Sequence, residues 1–133
     1  MNCYCCSNKF FAECCEPFLD GIAKPQSAEQ LMRSRYSAYV TGNVEYLLRS
    51  THPSTRKFHD SQTIKEWAES SVWQKLEIVS TTEGGAKDKK GTVEFKAYYL
   101  DSNKEPQIHH ENSNFVKELG KWFFVDGQIV THS

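Results

Sequence analysis

The sequence predicts an α+β domain, helices first and an antiparallel sheet second, preceded by a cysteine-rich knuckle. Three observations carry that expectation. All five cysteines lie within the first 15 of 133 residues. Between about residues 28 and 68, apolar side chains recur at helical spacing behind capping signals, and from about residue 75 the period changes to strict alternation. A chain of 133 residues has room for one core and a small appendage, not for two cores.

The knuckle comes first. A disulfide framework ties distant segments together, whereas Cys3, Cys5, Cys6, Cys14 and Cys15 could staple only their own short stretch. Pairing Cys14 with its neighbour Cys15 would need a strained vicinal ring. Four thiolates, Cys3-x-Cys5 and after eight residues Cys14-Cys15, can instead converge on one tetrahedral zinc, which leaves Cys6 over. Redox-active thiols and merely buried cysteines are the alternatives. Asp20 to Gln26 is a short joint, so the expected units are residues 1–22 and 23–133.

The helices follow. Ser27 with Gln30 forms a capping box and Gly42 is a stop signal, which together predict a helix over 28–41 with Ala28, Leu31, Met32, Ala38 and Tyr39 on its apolar face. Asn43 caps a second short helix through Val44, Tyr46, Leu47 and Leu48, which His52-Pro53 must end. Thr63 with Glu66 reads as another box, opening a third helix whose face is Ile64, Trp67 and Ala68.

Four strands come next: Leu76-x-Ile78, then Val93 through Tyr99, then Glu111-x-Ser113-x-Phe115, then Trp122-x-Phe124. Gly84-Gly85, the stretch from Asp101 to Pro106, and Gly120 separate them by distances that suit antiparallel hairpins. In such a fold the helices cover one face of the sheet.

Certain stretches resemble a known family. CYCCSNKFFAECC at 3–15 is similar to the SEC-C zinc motif, usually CPCGSGKxYxxCC, with Tyr4, Cys6 and Asn8 standing where proline and two glycines are usual. Asparagine tolerates the left-handed backbone that glycine permits; cysteine does so less well. LMRSRYSAYV, HENSNF at 110–115 and KWFFVDG at 121–127 resemble the bacterial YchJ-like proteins. The resemblance implies a zinc knuckle on a cone-shaped domain of the nuclear-transport-factor-2-like (NTF2-like) fold, in a family whose biochemical role is largely uncharacterised. Knuckles of this kind elsewhere, as at the tail of the preprotein translocase ATPase, are implicated in contacts with protein partners.

Composition excludes several functions. Sixteen basic against 17 acidic side chains leave a formal charge of -1, too little field to hold a phosphate backbone, so no general nucleic-acid binding is expected. Apolar runs are a few residues long, far below the ~20 needed for a membrane span, and no leader pattern opens the chain, so a soluble, cytoplasmic protein is expected. No phosphate-binding glycine loop, nucleophile elbow or His-Glu-x-x-His helix is present.

What remains is a cavity. Arg35 shares the helical stripe of Ala28, Leu31 and Ala38, and a guanidinium there needs a carboxylate, a carbonyl or an aromatic face. Glu111 alternates with Ser113 and Phe115 and is the expected partner; Asp126 is the second choice. Such a pair is either architecture or a ligand site with Tyr39, Trp73 and Ser113 around it. Trp67, Tyr36 and Tyr46 read as core or pocket wall rather than a platform for bases. His109 and Glu111 share a face, but adjacent polar residues on an exposed strand explain them without a metal. Two functions survive: a non-catalytic module with a zinc knuckle and a pocket for a small molecule or protein partner, or an NTF2-like pocket enzyme of isomerase or hydrolase type with Glu111 as general base.

Overall fold

A computed structural model describes residues 1–130. The helices are α1 (Glu16–Leu19), α2 (Ala28–Thr41), α3 (Val44–Arg49), α4 (Pro53–Arg56) and α5 (Ser61–Ser70). The strands are β1 (Val72–Glu83), β2 (Lys90–Leu100), β3 (Pro106–Glu118) and β4 (Lys121–Ile129). They form one antiparallel meander in the order β1-β2-β3-β4. The predicted α+β order therefore holds, and the strands are longer than the alternating stretches alone suggested. No helix among the described residues is long and apolar enough to cross a membrane.

The capping signals act where the sequence places them, with one shift. Ser27 Oγ accepts from Gln30 N at 3.1 Å, and Gly42 ends α2 at φ 74°, in the left-handed region. Asn43 Oδ1 accepts from Tyr46 N at 3.0 Å and starts α3. Helix α5 begins three residues earlier than the Thr63 box predicts, because Asp60 takes the cap: its Oδ2 accepts from Thr63 N at 3.1 Å. Thr63 thus sits in the first turn. His52-Pro53 ends α3 and also opens α4, with proline in the first turn, where its missing N–H costs nothing.

Helix α2 lies across the concave face of the sheet and is covered from a second side by the knuckle. Leu31, Leu47, Val93, Phe115 and Trp122 are fully buried in the shared core, and Cys3, Cys5, Cys15 and Leu19 belong to the same cluster. The segment between α3 and α4 is sewn to β4, with His52 N donating to Phe124 O at 2.7 Å and Phe124 N donating to Ser50 O at 2.9 Å. Two irregularities bend β1, between Trp73 and Lys75 and between Ile78 and Ser80. A third, in the β3–β4 pairing between Asn114 and Phe115, shapes the cavity described next.

Candidate functional site

The N-terminal hairpin gathers the thiols. Cys3 N donates to Lys9 O at 2.7 Å and Phe11 N to Met1 O at 3.0 Å, which folds the first limb over the second. The turn between them places Cys6 at φ 65° and Asn8 at φ 68°, the left-handed conformation that glycine adopts most readily and that cysteine tolerates least well of the two. The Sγ atoms of Cys3, Cys5, Cys14 and Cys15 all lie within 4.8 Å of one another. Cys5 to Cys14 is 3.7 Å and Cys14 to Cys15 is 3.9 Å. A tetrahedron with metal–sulfur arms of about 2.3 Å has edges of about 3.8 Å, so these four donors fit one metal ion.

The chemistry of the cluster agrees with its geometry. Hydrogen bonding to Cys3 and Cys5, together with burial, pushes the Cys15 thiol up, whereas donation from Cys15 and Cys5 holds Cys3 down. Burial also raises Cys14. Four thiolates cannot share so small a volume without a cation between them. Around them, Ser7 Oγ lies 3.2 Å from Cys14 Sγ, Ser37 Oγ of α2 lies 3.6 Å from Cys3 Sγ, and Arg33 Nη1 donates to Cys5 O at 2.6 Å. The last two contacts fasten the knuckle to α2. Cys6 is exposed, outside the cluster, and its sulfur instead accepts from Leu76 N of β1 at 3.5 Å.

A cavity of about 250 Å³ opens between α2, α5 and the sheet, and Arg35, Tyr39, Trp73, Glu111 and Ser113 all line it. The cross-strand register explains why: Val93, Phe95 and Ala97 of β2 face Ser113, Glu111 and His109 of β3, so all six side chains share the concave face. Above them three rings meet edge to face or tilted, with centroids of Tyr39 and Trp67 5.0 Å apart, Trp67 and Trp73 5.3 Å, and Tyr39 and Trp73 5.5 Å.

Asp126 is not in this cavity. Simple alternation from Trp122 and Phe124 would point it inward, but the β3–β4 irregularity pairs Phe115 with Phe124 and Asn114 with Asp126. One extra residue reverses the side-chain parity. Asp126 is therefore exposed on the outer face, where Asn114 Nδ2 donates to its Oδ1 at 2.8 Å. The same slip sets Gly127 opposite Ser113 on the inner face, and a Cβ on Gly127 would overlap the Glu111 carboxylate.

The expected Arg35–Glu111 ion pair is also absent among the described residues, although both groups are present. Arg35 is only 6% exposed; its Nη1 donates to Leu47 O at 2.9 Å, Ser50 Oγ at 2.6 Å and Thr51 Oγ1 at 3.3 Å. Its Cζ stands 4.4 Å from the Phe124 ring centroid. The C-terminal end of α3 thus takes the role assigned to a carboxylate, as carbonyls at a helix C-terminus favour a cation. Glu111 is engaged elsewhere: His109 Nε2 lies 2.9 Å from Oε1, and Ser113 Oγ donates to Oε2. Burial pushes Glu111 up, but the hydrogen bonds of His109 and Ser113 and the charges of His109 and Arg35 outweigh it, and the carboxyl ends below its ordinary value.

Some of the wall was not visible in the sequence. His109 lies inside, packed 5.2 Å from Trp67, rather than on an exposed strand. His59, from the loop before α5, also lines the cavity, and burial and the Arg35 charge lower its pKa. It sits in no periodic element, so nothing in its neighbourhood signals its direction.

A family model described as YchJ, middle NTF2-like domain, matches residues 27–127. The chain belongs to the YchJ-like family. Among its YchJ-like relatives, a UPF0225 protein of Geobacter sulfurreducens is 45% identical over 125 residues, 94% of this chain and 77% of the relative. One from Haemophilus influenzae is 42% identical over 128 residues, 96% of this chain and 78% of the relative. The solution structure of a SEC-C motif containing protein from Rhodopseudomonas palustris superposes with a TM-score of 0.90 at 37% identity, covering 98% of this chain and 100% of that one. The crystal structure of a SEC-C motif containing protein from Psychrobacter arcticus superposes at 0.78 with 33% identity, over 96% of this chain and 76% of the other. The YchJ-like chain thus combines an NTF2-like cone with an N-terminal cysteine cluster, as its sequence predicts.

Proposed function

We propose that this YchJ-like protein is a zinc-binding, non-catalytic module whose cone holds a small molecule and whose knuckle, residues 1–22, contacts a protein partner. The observation that supports the binding reading most is the state of Glu111. A general base working near neutral pH needs a carboxyl raised toward neutrality. The Glu111 carboxyl lies below its ordinary value, with both oxygens engaged. Much of the rest of the wall is aromatic, which suits binding.

Zinc is the ion that best suits four cysteine sulfurs in a closed tetrahedral set. Cys3, Cys5, Cys14 and Cys15 would hold it, and its role there would be structural. Met1 and Phe10 leave apolar surface exposed on the knuckle, which supports a protein partner; the net charge of -1 speaks against DNA or RNA in general. Elemental analysis of purified protein tests the metal: one zinc per chain is expected, kept in Cys6→Ser and lost in Cys14→Ser. Zinc kept in Cys14→Ser and lost in Cys6→Ser would overturn the assignment. Mass spectrometry under native conditions, before and after denaturation, tests the cone through a co-purified small molecule.

A further inference from the structure

The fold leaves one buried charge only half used. Among the described residues, every hydrogen bond that Arg35 makes runs through Nη1 and no carboxylate forms an ion pair with it. A guanidinium has five N–H donors, of which Nε and Nη2 carry three. Trp122 Nε1 is the side-chain atom sealed from solvent without a partner among the described residues, so the idle Arg35 donors are not sealed. They belong to a residue that lines the cavity. A buried cation with no carboxylate in contact costs free energy that an anion touching it restores.

The cavity's own carboxylate does not meet that need, because Glu111 is held by His109 and Ser113, and Gly127 gives its carboxylate the room to lie there. The volume is small. A cavity of roughly 150 Å³ holds benzene, so about 250 Å³ accommodates one flat ring and a charged group. Tyr39, Trp67 and Trp73 supply faces and edges for such a ring.

We propose that the cone binds a small aromatic carboxylate, its charged end on the free Nε and Nη2 donors of Arg35 and its ring among Tyr39, Trp67 and Trp73. A side-on guanidinium–carboxylate contact uses two parallel N–H donors and so selects a planar acid over an amide of the same shape. The inference rests on the reading of the cone as a small-molecule site and adds the class of molecule.

Benzoate, benzamide and benzylammonium are the probes, each titrated into the zinc-loaded full chain at neutral pH. Resonances of the Trp67 and Trp73 indoles and of Arg35 Nε–H report binding. Benzoate should shift all three and bind at least tenfold more tightly than benzamide; Arg35→Gln should bring the two within about threefold. If that variant does not fold, the Arg35 Nε–H shift in the unaltered protein decides. Benzamide binding as tightly as benzoate, a benzoate complex that leaves Arg35 Nε–H unmoved, or a preference for benzylammonium would overturn the anion assignment while leaving the cone a binding site. If none of the three moves the indole resonances, the small-molecule reading fails together with it.

Discussion

At Gly127 a single methyl group separates the observed cavity from a different one. The Glu111 carboxylate occupies the space a Cβ would take, and β4 is held in register on both sides of that point. Gly127→Ala should therefore cost about 1–3 kcal/mol, as overpacking does. In the double variant with Glu111→Ala the costs should fall short of additive, since the second change removes the atom that clashes; chemical denaturation of the four proteins measures this. Glu111 itself leaves a signature in pH. Its folded-state pKa lies below the ordinary value of 4.5, so the stability it contributes is present above that value and is lost as pH falls through the folded-state pKa. Acid unfolding should accordingly be less steep in Glu111→Gln than in the unaltered protein. Equal slopes would mean that the carboxylate gains nothing from His109 and Ser113.

Helix α2 is the element on which both sites depend. One side carries Arg35 and Tyr39 into the cavity; the other offers Ser37 and Arg33 to the knuckle. Losing the Ser27 cap should loosen both sites together: Ser27→Ala is expected to cost about 1 kcal/mol in equilibrium unfolding, since Gln30 N loses its acceptor. The caps and stops of this helix were legible in the sequence because they are local chemistry, and so were the inward positions of Ser113, Phe115, Trp122 and Phe124. The Asp126 position was not. Alternation holds only while pairing is regular, and the β3–β4 irregularity is set by which residues the partner strand offers, a non-local matter. The burial of Ser34 and Ser37 was hidden for a related reason. Polar side chains on the back of an amphipathic helix read as solvated, whereas here Ser34 Oγ lies 2.6 Å from the Tyr46 hydroxyl and Ser37 lies under the knuckle. Arg35 was placed correctly on its face but paired with the wrong acceptor, because a carbonyl at the end of a neighbouring helix carries no mark in sequence.

In the whole molecule, knuckle and cone share one core. Cys3, Cys5 and Cys15 are buried with residues of α2 and the sheet, and Arg49 Nη2 of α3 donates to Leu19 O at 3.0 Å. A metal ion held by those thiolates therefore stabilises the cone as well as the hairpin that carries the ligands, because binding free energy at a site absent from the unfolded chain is folding free energy. The protein should lose stability as pH falls and protons compete for the sulfurs, with the metal and the cone released together. The most direct measurement is thermal unfolding followed through the tryptophans, all of which lie in the cone, on protein of known zinc content before and after treatment with a chelator. A single transition is expected, shifting to lower temperature as zinc is removed and returning when zinc is restored. A tryptophan transition that stays at the same temperature with the metal gone would contradict it.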